Sequence, residues 1–228
     1  MSKKITRRSA LAVTAGAGAA LATPTLFTGA VWADGHSGFT NAPQGDSVIL
    51  GFNVPQTGPY ADEGADELRA YELAVEHLNG GGDGGMLSTF SSKKLQGTGI
   101  LGKKVEYVTG DTQTKSDAAR ASAKSMIEKA GDVMVTGGSS SGVAVAVQAR
   151  CQEAGSIFMA GLTHSNDTTG KDKRANGFRH FFNSYMAGAA LAPVLAANYG
   201  TDRKAYHLTA DYNWGYTTEE AVRSSTEA

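Results

Sequence analysis

One cysteine, Cys151, is all the chain has, so no intramolecular disulfide can form, whatever the redox state of its surroundings. Its neighbours, VAVQARCQEAG, read as a helix, where a lone cysteine is a small buried apolar residue and not a reactive thiol. Positive charge is not in excess: 21 basic against 22 acidic residues give a net charge of −1. The five histidines, His36, His77, His164, His180 and His207, lack metal-ligand spacing. The glycine run HLNGGGDGG follows a helix rather than a strand, so it is neither a phosphate-binding loop nor a dinucleotide fingerprint. No internal repeat is evident, and no cofactor or metal is expected.

What the chain does have begins at its N-terminus. Lys3, Lys4, Arg7 and Arg8 precede a mildly apolar Ala/Gly/Leu segment that ends in AVWA before the first acidic residue, Asp34. This reads as an export signal over residues 1–33, cleaved after Ala33. The Arg7-Arg8 pair followed by Ser-Ala-Leu resembles a twin-arginine signal, with the periplasm as destination; an ordinary secretory signal with a chance arginine pair is the alternative. Glycines and Pro24 interrupt the segment, which is shorter and less apolar than a spanning helix needs. Removing those residues leaves 17 basic against 22 acidic, a net charge of about −5. A mildly acidic protein has no electrostatic reason to hold nucleic acid or an anionic lipid surface, so the expected partner is a small molecule or another protein.

After a flexible leader at 34–46, strand and helix signals alternate. SVILGFNVP is a continuous apolar run of strand length; ADELRAYELAVEHL carries Leu68, Tyr71, Leu73, Val75 and Leu78 at helical spacing. KKVEYVTGD predicts a strand, SDAARASAKSMIEKAG a helix that Ser116 can cap, VMVTGG a strand, GVAVAVQARCQEAG a helix and SIFMAG a strand. Elements in this order build a parallel sheet with helices on both faces. The glycine-rich run between Gly80 and Gly102 reads as an exposed loop insertion. GFRHFFNS is extended, YMAGAALAPVLAANYG is a helix interrupted by Pro193, RKAYHLTAD is a strand, and WGYTTEEAVRSSTEA starts another helix. A second sheet is announced but barely begun, so the sequence is expected to be a fragment of a longer protein, truncated at its C-terminus.

In parallel sheets, ligands sit beyond the carboxyl ends of the strands, where helix N-termini point free amides outward. The corner GGSSSG puts Ser139, Ser140 and Ser141 there, as a cradle for a carboxylate or other polar acceptor or, alternatively, as helix caps. The next strand ends in Thr163, His164, Ser165 and Asn166, the first offers Tyr60 and Glu63, and the second ends at Asp111. Convergence of polar groups from four strand ends is the argument for a site.

The segments GFNVPQTGPYADEG, GILGKKVEYVTGD, GGSSSGVAVAVQARCQEAGSIFMAG, GFRHFF and AYHLTADYNWGYTTEE stand in the order and spacing of the leucine/isoleucine/valine-type substrate-binding proteins, which the chain resembles over Ser47 to Ala228. These are type I periplasmic binding proteins of ATP-driven (ABC) uptake systems. The resemblance implies lobe one at 47–181 and the start of lobe two at 182–228, with no bond made or broken. It implies that Ser141, with Ser140 beside it, holds a ligand carboxylate, and that Thr163 and Ser165 bind the same amino-acid head group. It puts Trp214 where the family has an aromatic cover, ordinary packing being the alternative, and Tyr60 and Glu63 in a loop that contributes a first-lobe contact. His164 is extra to the pattern and is expected to be a solvated loop residue, a pH-sensitive role being the alternative. A monomer is implied, working with a membrane permease; the ligand class stays open among branched-chain and other amino acids, amides, urea and small carboxylates.

Two other readings compete. GGSSSG also fits the serine/glycine pattern of amidases, but a nucleophilic serine needs a base within reach, and nothing places Lys93, Lys94, Lys103 or Lys104 in a cleft. The type I fold also serves as the ligand-sensing domain of receptors.

Overall fold

The computed structural model describes residues 39–43, 45–80 and 98–227. The segments expected to be an export signal and a leader, up to residue 38, and the core of the expected glycine-rich insertion, at 81–97, lie outside the described residues. Five strands form one sheet in the order β2-β1-β3-β4-β5: β1 (Ser47–Val54), β2 (Lys104–Asp111), β3 (Met134–Gly137), β4 (Ile157–Ala160) and β5 (Gly177–Arg179). Every pairing is parallel. Between them run α1 (Ala61–Leu78), α2 (Ser116–Ser125) and α3 (Ser141–Ala154), and after them come α4 (Ser184–Tyr199) and α5 (Asn213–Glu227). This is the expected α/β architecture.

Its core is split by the sheet. Val48, Leu50 and Phe52 alternate along β1 and meet Val105 of β2 and Val75 of α1, with Leu68, Tyr71 and Leu78 around them. The second cluster joins Ala119 and Ala123 of α2, Val135 of β3, Phe158 and Ala160 of β4, and Val143, Ala144, Val147 and Cys151 of α3. Met134 and Val135 are neighbours in β3 yet join different clusters, because successive side chains leave a strand on opposite faces. Helices therefore cover both faces, and small alanines let α2 and α3 approach closely. Cys151 is fully buried, and that burial pushes its thiol far above the ordinary range.

Several local expectations change. Leu73 is 51% exposed: residues 68, 71, 75 and 78 repeat at three and four, and position 73 falls off that stripe. The residue capping α2 is Lys115, with Ser116 already inside the helix. α2 widens into a π-helical turn at Met126–Ala130 and closes on Gly131, whose φ of 74° suits glycine. Helix α4 runs unbroken through Pro193. Arg203–Asp211 forms no strand; Tyr206 and Leu208 are 95% and 96% exposed, and among the described residues no strand lies alongside to complete a ladder.

Candidate functional site

Parallel pairing brings the carboxyl ends of β1, β3 and β4 to one edge, and a cavity of about 300 Å³ opens there. Tyr60 and Glu63 reach it from the start of α1, Ser139 and Ser141 from the corner between β3 and α3, Leu162 and His164 from the segment after β4, and Tyr212 and Trp214 from the start of α5. Of the seven residues to which the resemblance gives a ligand-binding role, four share this cavity, Tyr60, Glu63, Ser141 and Trp214, together with Ser139 and His164 from the strand-end corners. Ser140, Thr163 and Ser165 do not line it.

The serine corner is built by backbone geometry. Gly137, Gly138 and Ser139 have φ of 118°, 102° and 26°, a left-handed run in which glycine is at home. A Cβ at Gly137 would also stand 2.4 Å from the Asn53 carbonyl oxygen. Ser140 then takes the N-cap position of α3, but its side chain makes no capping bond. Ser141 is 2% exposed, and its Oγ accepts the Ser165 amide at 3.2 Å. Ser165 is fully buried and works as a local clasp, its Oγ accepting from the Asp167 amide at 3.1 Å and from the Thr217 hydroxyl at 3.2 Å. Thr163 is buried too, and its carbonyl takes the Arg179 guanidinium, which also reaches the Ser165 carbonyl at 2.6 Å.

His164 is half-buried, not solvated. Its ring lies 4.4 Å from Phe182 and 5.0 Å from Phe181, centre to centre. Burial and then the nearby Arg179 charge hold its imidazole below the usual range, toward the neutral form. On the opposite wall the Tyr60 hydroxyl donates to that of Tyr212 at 3.0 Å, and Trp214 lies 6.0 Å from Tyr212. Asn213 adds a bond to Asp167 at 2.7 Å. Contacts between the sheet layer and α5 therefore ring the cavity.

Sequence reasoning missed Leu162, Tyr212 and the buried Glu67. A polar residue at the period of an apolar stripe, with Tyr71 four residues on, was the available signal for Glu67.

Asp111 has a different use from the one suggested by its place at a strand end. It accepts from the amides of Gln56, Thr57 and Gln113 and from the Thr57 hydroxyl at 2.6 Å. Burial acts to raise its pKa, but these bonds outweigh it and hold the carboxyl below its ordinary value. A depressed pKa stabilises the fold above the unfolded value and loses that stabilisation as pH falls through the folded one. Asp111→Asn is expected to cost about 1–2 kcal/mol at neutral pH, the worth of hydrogen bonds to a charged group, and to flatten the acid limb of a urea-unfolding pH series.

Among the described residues, no group of three or more His, Cys, Asp or Glu could hold a metal ion, and no helix is long and apolar enough to cross a membrane. Among the described residues, no lysine lines the cavity. Lys104 opens β2 at the far edge of the sheet, where Lys103 bonds the Gly45 carbonyl, and Lys93 and Lys94 lie outside the described residues.

Residues 47–228 match the family model for periplasmic binding proteins. Among solved structures, the chain is similar to a periplasmic binding protein from Burkholderia mallei, at 22% identity and a TM-score of 0.65, covering 80% of this chain and 44% of that one. A solute-binding protein of an ABC transporter from R. palustris, in complex with 4-hydroxybenzoate, matches at 20% identity and a TM-score of 0.63, covering 80% and 44%. A branched-chain amino acid transporter substrate-binding protein from Streptococcus pneumoniae, in complex with isoleucine, matches at 19% and 0.61, covering 80% and 47%. At these identities the likeness is one of fold, and the chain spans less than half the length of each structure. No curated protein matches it in sequence.

Proposed function

Because the chain belongs to the periplasmic binding protein family, we propose that it captures a small polar solute at the strand-end cavity for delivery to an ABC permease in the inner membrane. The observation that carries this reading is the cavity itself. A parallel-sheet edge, the uncapped first turn of α3 and aromatic groups from two separate parts of the chain meet around about 300 Å³, a volume suited to one amino acid or a molecule of that size. Residues 47–181 act as the first lobe and 182–228 as the beginning of a second. The solute bridges them and stabilises the closed form, which the permease reads.

In this reading Ser141 and the α3 amides take the acceptor group of an amino acid or a related amide or carboxylate, while Trp214 and Tyr60 cover it and Glu63 lines the entrance. Ser140, Thr163 and Ser165 act behind the wall, shaping the corner. The protein works as a monomer in the periplasm, after export by the twin-arginine route. Solute-binding neighbours, and a cavity that no described lysine lines, favour carriage over amide hydrolysis.

The test is a thermal-shift panel of amino acids, their amides and small carboxylates. A saturable rise in Tm with one compound is the expected result; turnover of an amide would replace the proposal with an enzyme. Ser141→Ala is expected to weaken binding by about 1–3 kcal/mol, the cost of leaving a polar partner unmatched. Lost stability with unchanged affinity would make Ser141 a purely structural residue.

A further inference from the structure

Ser139 has one hydroxyl hydrogen, and it is committed. Its Oγ donates to Oε2 of Glu67 at 2.6 Å, and an ionised carboxylate can only accept, which fixes the direction of the bond. Glu67 is 6% exposed. Its other oxygen accepts the Tyr71 hydroxyl at 2.5 Å and the Leu162 amide at 3.4 Å. Tyr71 is bound to stay a donor, since burial and then the Glu67 charge push its hydroxyl far above the ordinary range. Glu67 therefore reaches from α1 to the corners after β3 and β4 at once, so tightly that a Cβ at Gly161 would stand 2.0 Å from Oε1.

Ser141, two residues on, has the opposite polarity. Its Oγ accepts the Ser165 amide, so its own hydrogen is free to be given. Both serines line the cavity: one offers a donor, the other only lone pairs backed by a buried negative charge. The rest of the wall agrees. Glu63 is acidic, neither lysine nor arginine is present in the lining among the described residues, and burial and then the Arg179 charge hold His164 toward its neutral form.

We propose that Glu67 is a specificity-determining positioning residue: by fixing Ser139 as an acceptor, it makes the cavity select solutes that carry an N–H donor beside an acceptor group. The same skeleton bearing a carboxylate alone meets lone pairs and negative charge at that wall. The inference rests on the reading of the cavity as the solute site, and it adds a polarity that the serine-rich sequence alone leaves undecided.

Calorimetric Kd values for the full chain test it with three matched carbon skeletons, those of alanine, leucine and phenylalanine. Each is offered as the α-amino acid, as the α-amino amide and as the acid lacking the amine. Wild type is expected to favour the amine-bearing members by about tenfold or more, since a site built to pair with a polar group discriminates against analogues lacking it. In Glu67→Gln the new amide can donate to Ser139 and release its hydroxyl toward the cavity, so the preference should shrink at least about fivefold. Ser139→Ala should shrink it similarly, with a lower Tm because Glu67 Oε2 loses its donor, and it carries the test if Glu67→Gln fails to fold. An unchanged preference in both variants, or an equal loss for every probe, would overturn the proposal by making Glu67 structural only. A wild-type chain that binds the acid lacking the amine as well as the amino acid would overturn it and leave solute binding standing. No binding of any probe by wild type would overturn both.

Discussion

Between about pH 4 and pH 7 the chain is expected to lose stability as pH rises, and Asp132→Asn is expected to remove most of that slope. Asp132 lies between the π-helical turn and β3, is fully buried, and neither carboxyl oxygen has a hydrogen-bond partner. Its surroundings are the Gly51 backbone, where an added Cβ would stand 2.1 Å from Oδ2, and the Met126 sulfur. The nearby Asn41 amide bonds the Asp132 carbonyl instead of the carboxyl. Burial alone pushes the group from 3.8 up to about 7. The folded state therefore holds a proton that the unfolded chain has released, so stability declines from the unfolded value upward and levels off above the folded one. At about 1.4 kcal/mol for each step in pH between 3.8 and about 7, the upper bound is about 4 kcal/mol. Urea unfolding at pH 5 and pH 8 measures it, and equal stabilities at the two pH values would show that Asp132 is solvated or paired. Asp111 acts in the opposite sense, at lower pH, so the two contributions separate along one titration.

Gly64→Ala should cost about 3 kcal/mol or more, beyond ordinary overpacking. Its Cβ would stand 1.8 Å from the Pro55 carbonyl oxygen and 2.7 Å from the carbonyl carbon, and backbone atoms at the end of a central strand cannot retreat as a flexible side chain can. The first turn of α1 would have to move, taking Tyr60, Glu63 and Glu67 with it. Solute affinity should fall together with the urea midpoint. Gly142→Ala is the control: nothing lies within 4 Å of its Cβ, so in a helical first turn its stability should hold or rise slightly. A Gly64→Ala protein as stable as wild type would mean that α1 docks more loosely than this contact requires.

The parallel sheet was legible because burial on both faces leaves unbroken apolar runs such as VILGFNV, and turn residues mark their ends. The strand-end location of the cavity followed from topology. The burial of Thr163 and Ser165 behind the wall, and the exclusion of Ser140 from it, depend on side-chain direction within one tight corner, which residue type does not encode. Glu67 was hidden for a related reason: an acidic residue in an amphipathic helix reads as solvent-facing until the sheet corner packed over it is known. Arg203–Asp211 shows the converse limit. YHLTA has strand composition, but a strand exists only with a neighbour to bond, and propensity cannot supply one.

The Tyr60–Tyr212 hydroxyl bond and the ring of Trp214 beside it have an optical corollary. The chain has two tryptophans, Trp32 in the N-terminal segment and Trp214 in the cavity wall. In a variant lacking residues 1–33, emission excited at the red edge of protein absorbance would come from Trp214 alone. A solute that parts the two tyrosines or slides under the indole would change the polarity and quenching felt by that one fluorophore, so, on the proposed function, Trp214 emission is expected to report occupancy without a label.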